Sequence, residues 1–264
     1  MIKVGVIGAN GRMGTAACQA VTEADGLELA AAVSSSESLE KLAEADVEVA
    51  IEFTRPNVVM DNLRWLADHR IHMVVGTSGF DAEKLSQVEQ ILADKPQLGC
   101  IIAPNFGIGA VLMMQFAAKA ARFFDSAEII EAHHPGKVDA PSGTAAHTAR
   151  LVAASRAEAG LGEMPDGTEQ QLAGARGASV DGVSVHAVRS EGYIASQQIW
   201  FGSPGENFTI SHNSVDRKSF MPGVVLSVRK VADLPGLTVG IDSLLDLGDQ
   251  RDEGSVTSGS WREH

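Results

Sequence analysis

Short apolar runs rich in β-branched residues alternate with longer amphipathic stretches over the first part of the chain. The apolar runs predict strands at residues 2–7, 27–33, 47–53, 73–75 and 98–103. Apolar residues at helical spacing predict helices at 58–68 and 82–93, after a first helix that ends near Ala24. Strands that alternate with helices in this order predict an α/β fold with a Rossmann-type parallel sheet, covered on both faces.

The alternation of strands and helices changes after residue 106. Helices are predicted at 108–124 and 145–159, a strand at 127–133, and a long glycine-rich loop at 160–182. Strands at 183–189, 197–201 and 207–212 then follow one another without helices, which predicts a mixed or antiparallel sheet. A helix at 219–231 and a strand at 237–240 are expected to return to the first sheet.

These patterns divide the 264 residues into two domains. A dinucleotide-binding domain is predicted to comprise residues 1–106 and 217–247, and an α+β domain with a mixed sheet is predicted to comprise residues 107–216. Residues 248–264 are polar and aperiodic, and we expect a disordered tail there. With 44% hydrophobic residues, the composition excludes a fibrous or wholly disordered protein.

Charge and cysteine content narrow the choice of partners and compartment. Lys and Arg number 21 against 34 Asp and Glu, and the formal charge of −13 argues against nucleic-acid binding. Cys18 and Cys100 match neither a zinc site nor a disulfide framework, which favours the cytoplasm. The apolar runs fall short of the about 20 residues of a membrane span, and Lys3 in the first strand argues against a signal peptide.

A glycine-rich turn follows the first predicted strand and opens the first predicted helix. It reads Gly8-Ala9-Asn10-Gly11-Arg12-Met13-Gly14, with the spacing G-x-x-G-x-x-G. Glycines let the backbone approach a pyrophosphate closely, and the free N–H groups of the new helix hold its charge. At this place in the fold, dinucleotide binding is favoured over a turn that only aids packing.

The end of the second predicted strand bears on the choice of dinucleotide. An acid there commonly holds the adenosine ribose of NADH, but the chain has Ser34-Ser35-Ser36, with Glu37 as the nearest acid. Ser34 and Arg12 could instead meet the 2′-phosphate of NADPH, which predicts that both NADH and NADPH are used. The alternative is that Arg12 is a solvated charge and the serines form a turn.

Two further loops follow the fourth and fifth strands, at the edge where ligands bind in an open α/β sheet. They read Gly76-Thr77-Ser78-Gly79 and Ala103-Pro104-Asn105-Phe106. Both would approach the nicotinamide and its ribose. Plain connecting turns are the other interpretation.

Residues 131–145 form the segment EAHHPGKVDAPSGTA, which crowds titratable groups onto one loop. His133, His134 and Lys137 fall within five residues, and Ser142-Gly143-Thr144 opens a helix whose N–H groups can hold an anion. This combination favours a pocket for carboxylates with a proton donor over a solvated basic loop. We expect no metal, because adjacent histidines on a strand cannot easily face one ion.

These motifs, together with HAVRSEGYIASQQIWFG and HNSVDRKSFMPGV, resemble those of the dihydrodipicolinate reductase family of lysine biosynthesis, also called 4-hydroxy-tetrahydrodipicolinate reductases. The resemblance extends from residue 1 to about 247. It implies NAD(P)H-dependent reduction of a cyclic dicarboxylate to tetrahydrodipicolinate. It also implies a cytoplasmic homotetramer joined through the second domain.

The resemblance also implies roles for individual residues. His133 matches the proton donor, and Lys137 matches a second catalytic group that contacts substrate. The positions that match carboxylate-binding residues are His134, Gly143 and Thr144. The positions that match dinucleotide-binding residues are Gly8, Ala9, Asn10, Gly11, Arg12, Met13, Gly76, Thr77, Ser78, Ala103, Pro104, Asn105 and Phe106.

Three positions depart from the family pattern. Ser34 stands where an acid is common, and Ser78 stands in GTSG where GTTG is commoner. Glu52 replaces the usual Asp and is expected to cap or orient the loop after the third strand. The Ser34 departure is the one that puts a preference for NADH in question.

Two other functions would explain part of the same sequence. A different two-domain dehydrogenase, acting on a semialdehyde or on homoserine, would have no HHPGK loop. A non-catalytic dinucleotide sensor would need no proton donor and would usually carry a partner- or DNA-binding module. Turnover of NAD(P)H distinguishes the sensor from the enzyme.

Overall fold

Two β-sheets with their own helices organise the part of the chain that the computed structural model describes, residues 1–245. The strands are β1 (Ile2–Ile7), β2 (Leu27–Val33), β3 (Val49–Glu52), β4 (His72–Val75), β5 (Gly99–Ile102), β6 (Ser126–His133), β7 (Ala178–Val180), β8 (Val183–Arg189), β9 (Ala195–Ser203), β10 (Glu206–Ser214) and β11 (Gly236–Val239). The helices are α1 (Arg12–Glu23), α2 (Glu40–Glu44), α3 (Val59–Asp68), α4 (Ala82–Ala93), α5 (Ile108–Ala120), α6 (Gly143–Glu158) and α7 (Met221–Lys230). The predicted tail, 248–264, lies outside the described residues.

The first sheet has six parallel strands in the order β11-β5-β4-β3-β1-β2. Alternate residues of one strand face two different cores: Ile51 packs in the core that contains Val21 of α1, and Ala50 in the core that contains Leu63 of α3. Burial on both faces explains why these strands appear in the sequence as continuous apolar runs. The predicted Rossmann-type sheet is confirmed, and β11 returns the chain to its edge beside β5.

The second sheet has five strands in the order β10-β9-β6-β8-β7. β6 pairs with β8 in parallel and with β9 antiparallel, so the sheet is mixed, as predicted. Its inner face packs against α5 and α6, where Ile129 and Phe201 are buried in one cluster with Val111 and Val152. On the outer face, Trp200 remains 49% exposed.

The predicted loop at 160–182 was wrong at its end, because β7 forms there as a three-residue strand. Asp181 and Gly182 both have positive φ and form the tight turn between β7 and β8. Asp-Gly is a strong hairpin signal, whereas three residues are too few to show periodicity. The short helix α2 was also missed.

Candidate active site

A cavity of about 290 Å³ brings together residues from both predicted sites. Its walls include the predicted dinucleotide residues Met13, Gly76, Ala103, Pro104, Asn105 and Phe106. They also include His133, Lys137 and Thr144 of the titratable segment. The loops after β4 and β5 therefore face the proposed proton donor, at the sheet edge where ligands bind in open α/β folds.

A second cavity, of about 550 Å³, extends along the glycine-rich turn. Gly8, Asn10, Gly11 and Ser34 line it, and Phe53 lines both cavities, so the two adjoin. An elongated cleft of this kind fits a dinucleotide. Six predicted site residues lie outside the walls of both cavities: Ala9, Arg12, Thr77, Ser78, His134 and Gly143.

The glycine-rich turn requires glycine for close packing of the backbone. Gly8 has a φ of +81°, and a Cβ added there would lie 2.3 Å from the Phe53 carbonyl oxygen. A Cβ on Gly14 would lie 2.1 Å from the Gly8 carbonyl oxygen. Helix α1 has no acidic residue in its first turn and no side-chain cap, so its N-terminus can accept an anion. The turn therefore fits the pyrophosphate of a dinucleotide.

A carboxylate lies at the end of β2, and it belongs to Glu37, three residues after Ser34. Ser34 donates to Glu37 Oε2 through both its N–H and its hydroxyl, at 2.8 and 2.7 Å. A hydrogen bond from Lys41, supported by those from Ser34, lowers the pKa of Glu37 to about 2. The Ser34 donors expected to meet a phosphate are thus engaged by Glu37, an interaction that the strand end alone did not reveal.

Glu52 orients the loop after β4. It is fully buried, and its carboxylate accepts hydrogen bonds from the Thr77 hydroxyl at 2.5 Å and from Asn62 at 3.1 Å. The same Thr77 oxygen accepts from the Thr54 N–H at 2.8 Å. Glu52 therefore holds the loop after β4. It also accepts from the Thr54 hydroxyl in the loop after β3, the loop that it was expected to orient. The Thr77 side chain points into the protein rather than toward the cleft.

Glu131 and His133 share one face of β6, because residues two apart on a strand project to the same side. The fully buried Glu131 accepts a hydrogen bond from His133 Nδ1 at 2.6 Å. Arg189 donates to both Glu131 oxygens at 2.8 Å, and the Ser142 N–H donates at 3.1 Å. Burial raises the pKa of Glu131, but these hydrogen bonds outweigh it and hold the pKa at about 2.

The loop between β6 and α6 is closed by Asp139. Its carboxylate accepts from Lys137 Nζ at 2.5 Å and from the Gly143 N–H at 3.2 Å. Burial raises the pKa of Asp139, and the bond to Lys137 leads the effects that bring it below its usual value. Thr144 Oγ1 accepts from Asn105 Nδ2 at 3.3 Å, which joins the loop after β5 to the start of α6. Lys137 and Gly143 are therefore arranged around one carboxylate.

Several residues that line or support the cavity carry no assignment from the sequence. Glu131 and Arg189 support His133, while Ser196 and His212 line the cavity from β9 and β10. His212 packs against Gly109, where a Cβ would lie 2.7 Å from the imidazole, and burial lowers its pKa. A Glu-x-His pattern on a predicted strand was the available signal for Glu131.

Residues 1–245 contain neither a cluster of metal-ligating side chains nor a membrane-spanning helix. No group of three or more His, Cys, Asp or Glu side chains in that range could hold a metal ion. None of its helices combines the length and apolarity needed to cross a bilayer.

The first sheet is parallel and has a glycine-rich first turn, and its carboxyl edge faces a histidine and a lysine of the second domain. This arrangement defines a two-domain, dinucleotide-dependent oxidoreductase. Residues 2–106 match the family model for the N-terminus of dihydrodipicolinate reductase. Residues 109–245 match the model for its C-terminus. The chain belongs to the dihydrodipicolinate reductase family.

Individual relatives agree with this membership over nearly the whole chain. A 4-hydroxy-tetrahydrodipicolinate reductase of Cutibacterium acnes is 60% identical over 247 residues, covering 94% of this chain and 100% of that protein. The Thermobifida fusca reductase of the same name is 59% identical, with coverages of 94% and 100%. The structure of dipicolinate-bound dihydrodipicolinate reductase from Paenisporosarcina sp. TG-14 is similar with a TM-score of 0.81 at 38% identity, covering 93% and 100%.

Proposed function

We propose that the protein reduces 4-hydroxy-tetrahydrodipicolinate, the dihydrodipicolinate precursor, to tetrahydrodipicolinate with NAD(P)H, in lysine and diaminopimelate biosynthesis. One observation carries this proposal: the cavity that holds the loops after β4 and β5 also holds His133, Lys137 and Thr144. Relatives named for this reaction support the choice of substrate. A cyclic dicarboxylate matches a cavity edged by a cation, a histidine and a helix N-terminus.

His133 acts as the proton donor in this proposal. The 4-hydroxy substrate must first lose water to give dihydrodipicolinate. A bound nicotinamide would supply a hydride to that ring, which must then gain a proton at another atom. Glu131 engages Nδ1 of His133, which leaves Nε2 as the ring nitrogen that can deliver that proton. His133 lines the cavity, so this nitrogen belongs to the wall that a substrate would touch.

Lys137 and the start of α6 bind the substrate carboxylates. The carboxylate of Asp139 contacts the Lys137 ammonium and the Gly143 N–H, and this supports a substrate carboxylate binding at the same place. An incoming substrate carboxylate would displace that of Asp139, with Thr144 beside it and His134 at the margin of the loop. Lys137 then offsets negative charge on the substrate throughout the reaction.

Both NADH and NADPH serve as reductants in this proposal. The glycine-rich turn offers Gly8, Asn10 and Gly11 to the pyrophosphate. Glu37 can accept a hydrogen bond from the ribose hydroxyl of NADH, while Arg12 and Ser34 can meet the 2′-phosphate of NADPH once Glu37 releases Ser34. Which reductant is preferred depends on the charge balance around Glu37.

The active form in this proposal is a cytoplasmic homotetramer joined through the second domain. The inner face of the second sheet packs on α5 and α6, whereas its outer face exposes Trp200 and Val188. A second copy of the chain would cover that face and give a closed, symmetric assembly. We also propose the division into residues 1–106 plus 217–247 and residues 107–216 as the two domains.

Turnover by the purified protein tests the reaction. Freshly generated 4-hydroxy-tetrahydrodipicolinate is mixed with NADH or NADPH, and oxidation is followed by nicotinamide absorbance. We expect rapid oxidation with this substrate, and none with aspartate semialdehyde as the control. Binding of NAD(P)H without oxidation would indicate a sensor, and turnover of a control substrate alone would indicate a different dehydrogenase.

A further inference from the structure

We propose that the buried Glu131–Arg189 pair positions His133 for proton transfer, by fixing its proton on Nδ1 and the orientation of its ring. The inference rests on the proposed function, in which His133 is the proton donor. Glu131 and Arg189 act through His133 and are therefore positioning residues. No role for either was expected from the sequence.

The geometry of the pair follows from the pairing of two parallel strands. β6 and β8 lie in a register that sets His133 opposite Arg189, and Glu131 two residues earlier on β6. Arg189 can therefore reach back to both carboxylate oxygens of Glu131 at 2.8 Å, while His133 Nδ1 lies 2.6 Å from Oε2. The Glu131 side chain is 0% exposed, so water does not compete for these contacts.

Burial of this carboxylate is not explained by packing. The other inward-facing residues earlier on β6, Ala127 and Ile129, are apolar and fully enclosed. An apolar residue at position 131 would continue that face, and well-packed apolar replacements of buried ion pairs are often neutral or stabilising. A buried pair that contacts a residue lining the cavity is therefore better explained by what it does to that residue.

The ionised carboxylate sets the hydrogen-bonding state of the imidazole. A carboxylate only accepts hydrogen bonds, so His133 must carry a proton on Nδ1. This leaves Nε2 of this cavity-lining residue as the nitrogen that can face a substrate. The proton that His133 delivers to a substrate is then the one on Nε2, while the Nδ1 proton stays on the hydrogen bond to Glu131. Arg189 holds both carboxylate oxygens, which keeps Glu131 from rotating and from taking the His133 proton itself.

The same pair fixes the loop that carries Lys137. Arg189 also donates to the Asp139 carbonyl oxygen at 2.7 Å, and Glu131 Oε1 accepts from the Ser142 N–H at 3.1 Å. Those contacts set the distance between the proton donor and the carboxylate-binding loop. The charged and titratable groups around His133 are Glu131 on its own strand, Arg189 from β8, Lys137 and Asp139 from the loop, and His212 from β10.

Glu131→Gln tests the proposal, because it keeps the shape of the side chain and removes its charge. We expect kcat to fall roughly 10²-fold, at the lower end of what a general acid contributes. The KM for substrate and the Kd for NADH should change less than about 3-fold, since neither contact is removed.

Asp68→Asn is the control for the loss of a paired carboxylate. Asp68 ends α3 and pairs with Lys95 at 3.3 Å, outside both cavities and outside the second sheet. Its substitution should leave kcat and KM unchanged. An unchanged kcat in Glu131→Gln would overturn the proposal, as would an equal loss of kcat, substrate affinity and NADH affinity.

Nitrogen NMR of the His133 imidazole gives a readout that does not depend on turnover. The wild-type protein should show the proton on Nδ1, and Glu131→Gln should show a mixture of the two tautomers. A wild-type ring protonated on Nε2 alone would contradict the proposal, even if the substrate differs from the one proposed. If Glu131→Gln does not fold, the double variant Glu131→Gln/Arg189→Met removes both buried charges together, and the same loss of kcat is expected.

Discussion

Hydrogen bonds within the chain fix the side chains that are proposed to do the chemistry. His133 is held by Glu131, Lys137 by Asp139, and Thr144 by Asn105. Such contacts reduce the number of rotamers that must be ordered when a ligand binds, so more of the binding energy remains for orienting the reacting atoms. The function of each side chain is therefore tested best by changes that keep its neighbours in place.

His133→Ala and Lys137→Ala separate proton donation from carboxylate binding. We expect His133→Ala to lower kcat by roughly 10²- to 10⁴-fold, with little change in the KM for substrate. Lys137→Ala should lower kcat and raise the KM together, because it removes a charge that opposes a carboxylate. Steady-state kinetics measures both, and calorimetry should show unchanged NADH affinity. A near-wild-type kcat in His133→Ala would rule out His133 as the proton donor.

Glu37→Gln tests which side chain contacts the adenosine ribose. Without the carboxylate, the 2′-phosphate meets less repulsion and Ser34 is released, so the ratio of kcat/KM for NADPH to that for NADH should rise about ten-fold. Ser34→Asp adds an acid at the same place and should shift the ratio toward NADH. Arg12→Ala should raise the KM for NADPH more than for NADH. A ratio that none of these changes alters would show that the end of β2 does not contact the ribose.

At the scale of elements, the first sheet was the easier part to predict. Its strands are buried on both faces, so each appears as a continuous apolar run between helical patterns. The Glu131–Arg189 contact could not be predicted in the same way, because it depends on the parallel register of β6 and β8, 58 residues apart along the chain. Sequence patterns identify the residues of a local loop such as 133–144, whereas long-range partners require the pairing of strands.

The turn between β1 and α1 should not tolerate a larger residue at Gly14. Gly14→Ala places a methyl group 2.1 Å from the Gly8 carbonyl oxygen, and overpacking of this kind costs about 1–3 kcal/mol. We expect a lower Tm and weaker NADH binding, measured by thermal denaturation and calorimetry. Gly162→Ala, where a Cβ meets no atom within 4 Å, is the control and should change neither.

The Glu131–Arg189 contact between β6 and β8 should make the stability of the fold depend on pH in the acidic range. The folded protein keeps Glu131 ionised to a pKa of about 2, whereas the ordinary value is 4.5. The stabilisation is therefore complete above about pH 4.5 and is lost as the pH falls toward 2. Tm measured against pH should fall less steeply over this window in Glu131→Gln than in the wild type. Equal slopes would show that Glu131 is not held ionised in the fold.

At the scale of the whole molecule, the outer face of the second sheet is expected to join copies of the chain. Trp200 is 49% exposed on that face, so Trp200→Glu should convert a tetramer into smaller species, as measured by light scattering. Phe123→Glu is the control, since Phe123 is 80% exposed and lies in the connection after α5 rather than in a strand of the sheet. A wild-type protein that is monomeric at micromolar concentration would contradict the tetramer.

Isotope transfer tests the central claim most directly, because it follows both hydrogens that the substrate gains. The account predicts that NADH carrying deuterium at its transferable position gives a product with one deuterium in the ring. Unlabelled NADH in deuterated water should label a different carbon, through the exchangeable acid His133. Product that acquires no deuterium from NADH, or NADH that is bound and never oxidised when substrate is supplied, would contradict the account.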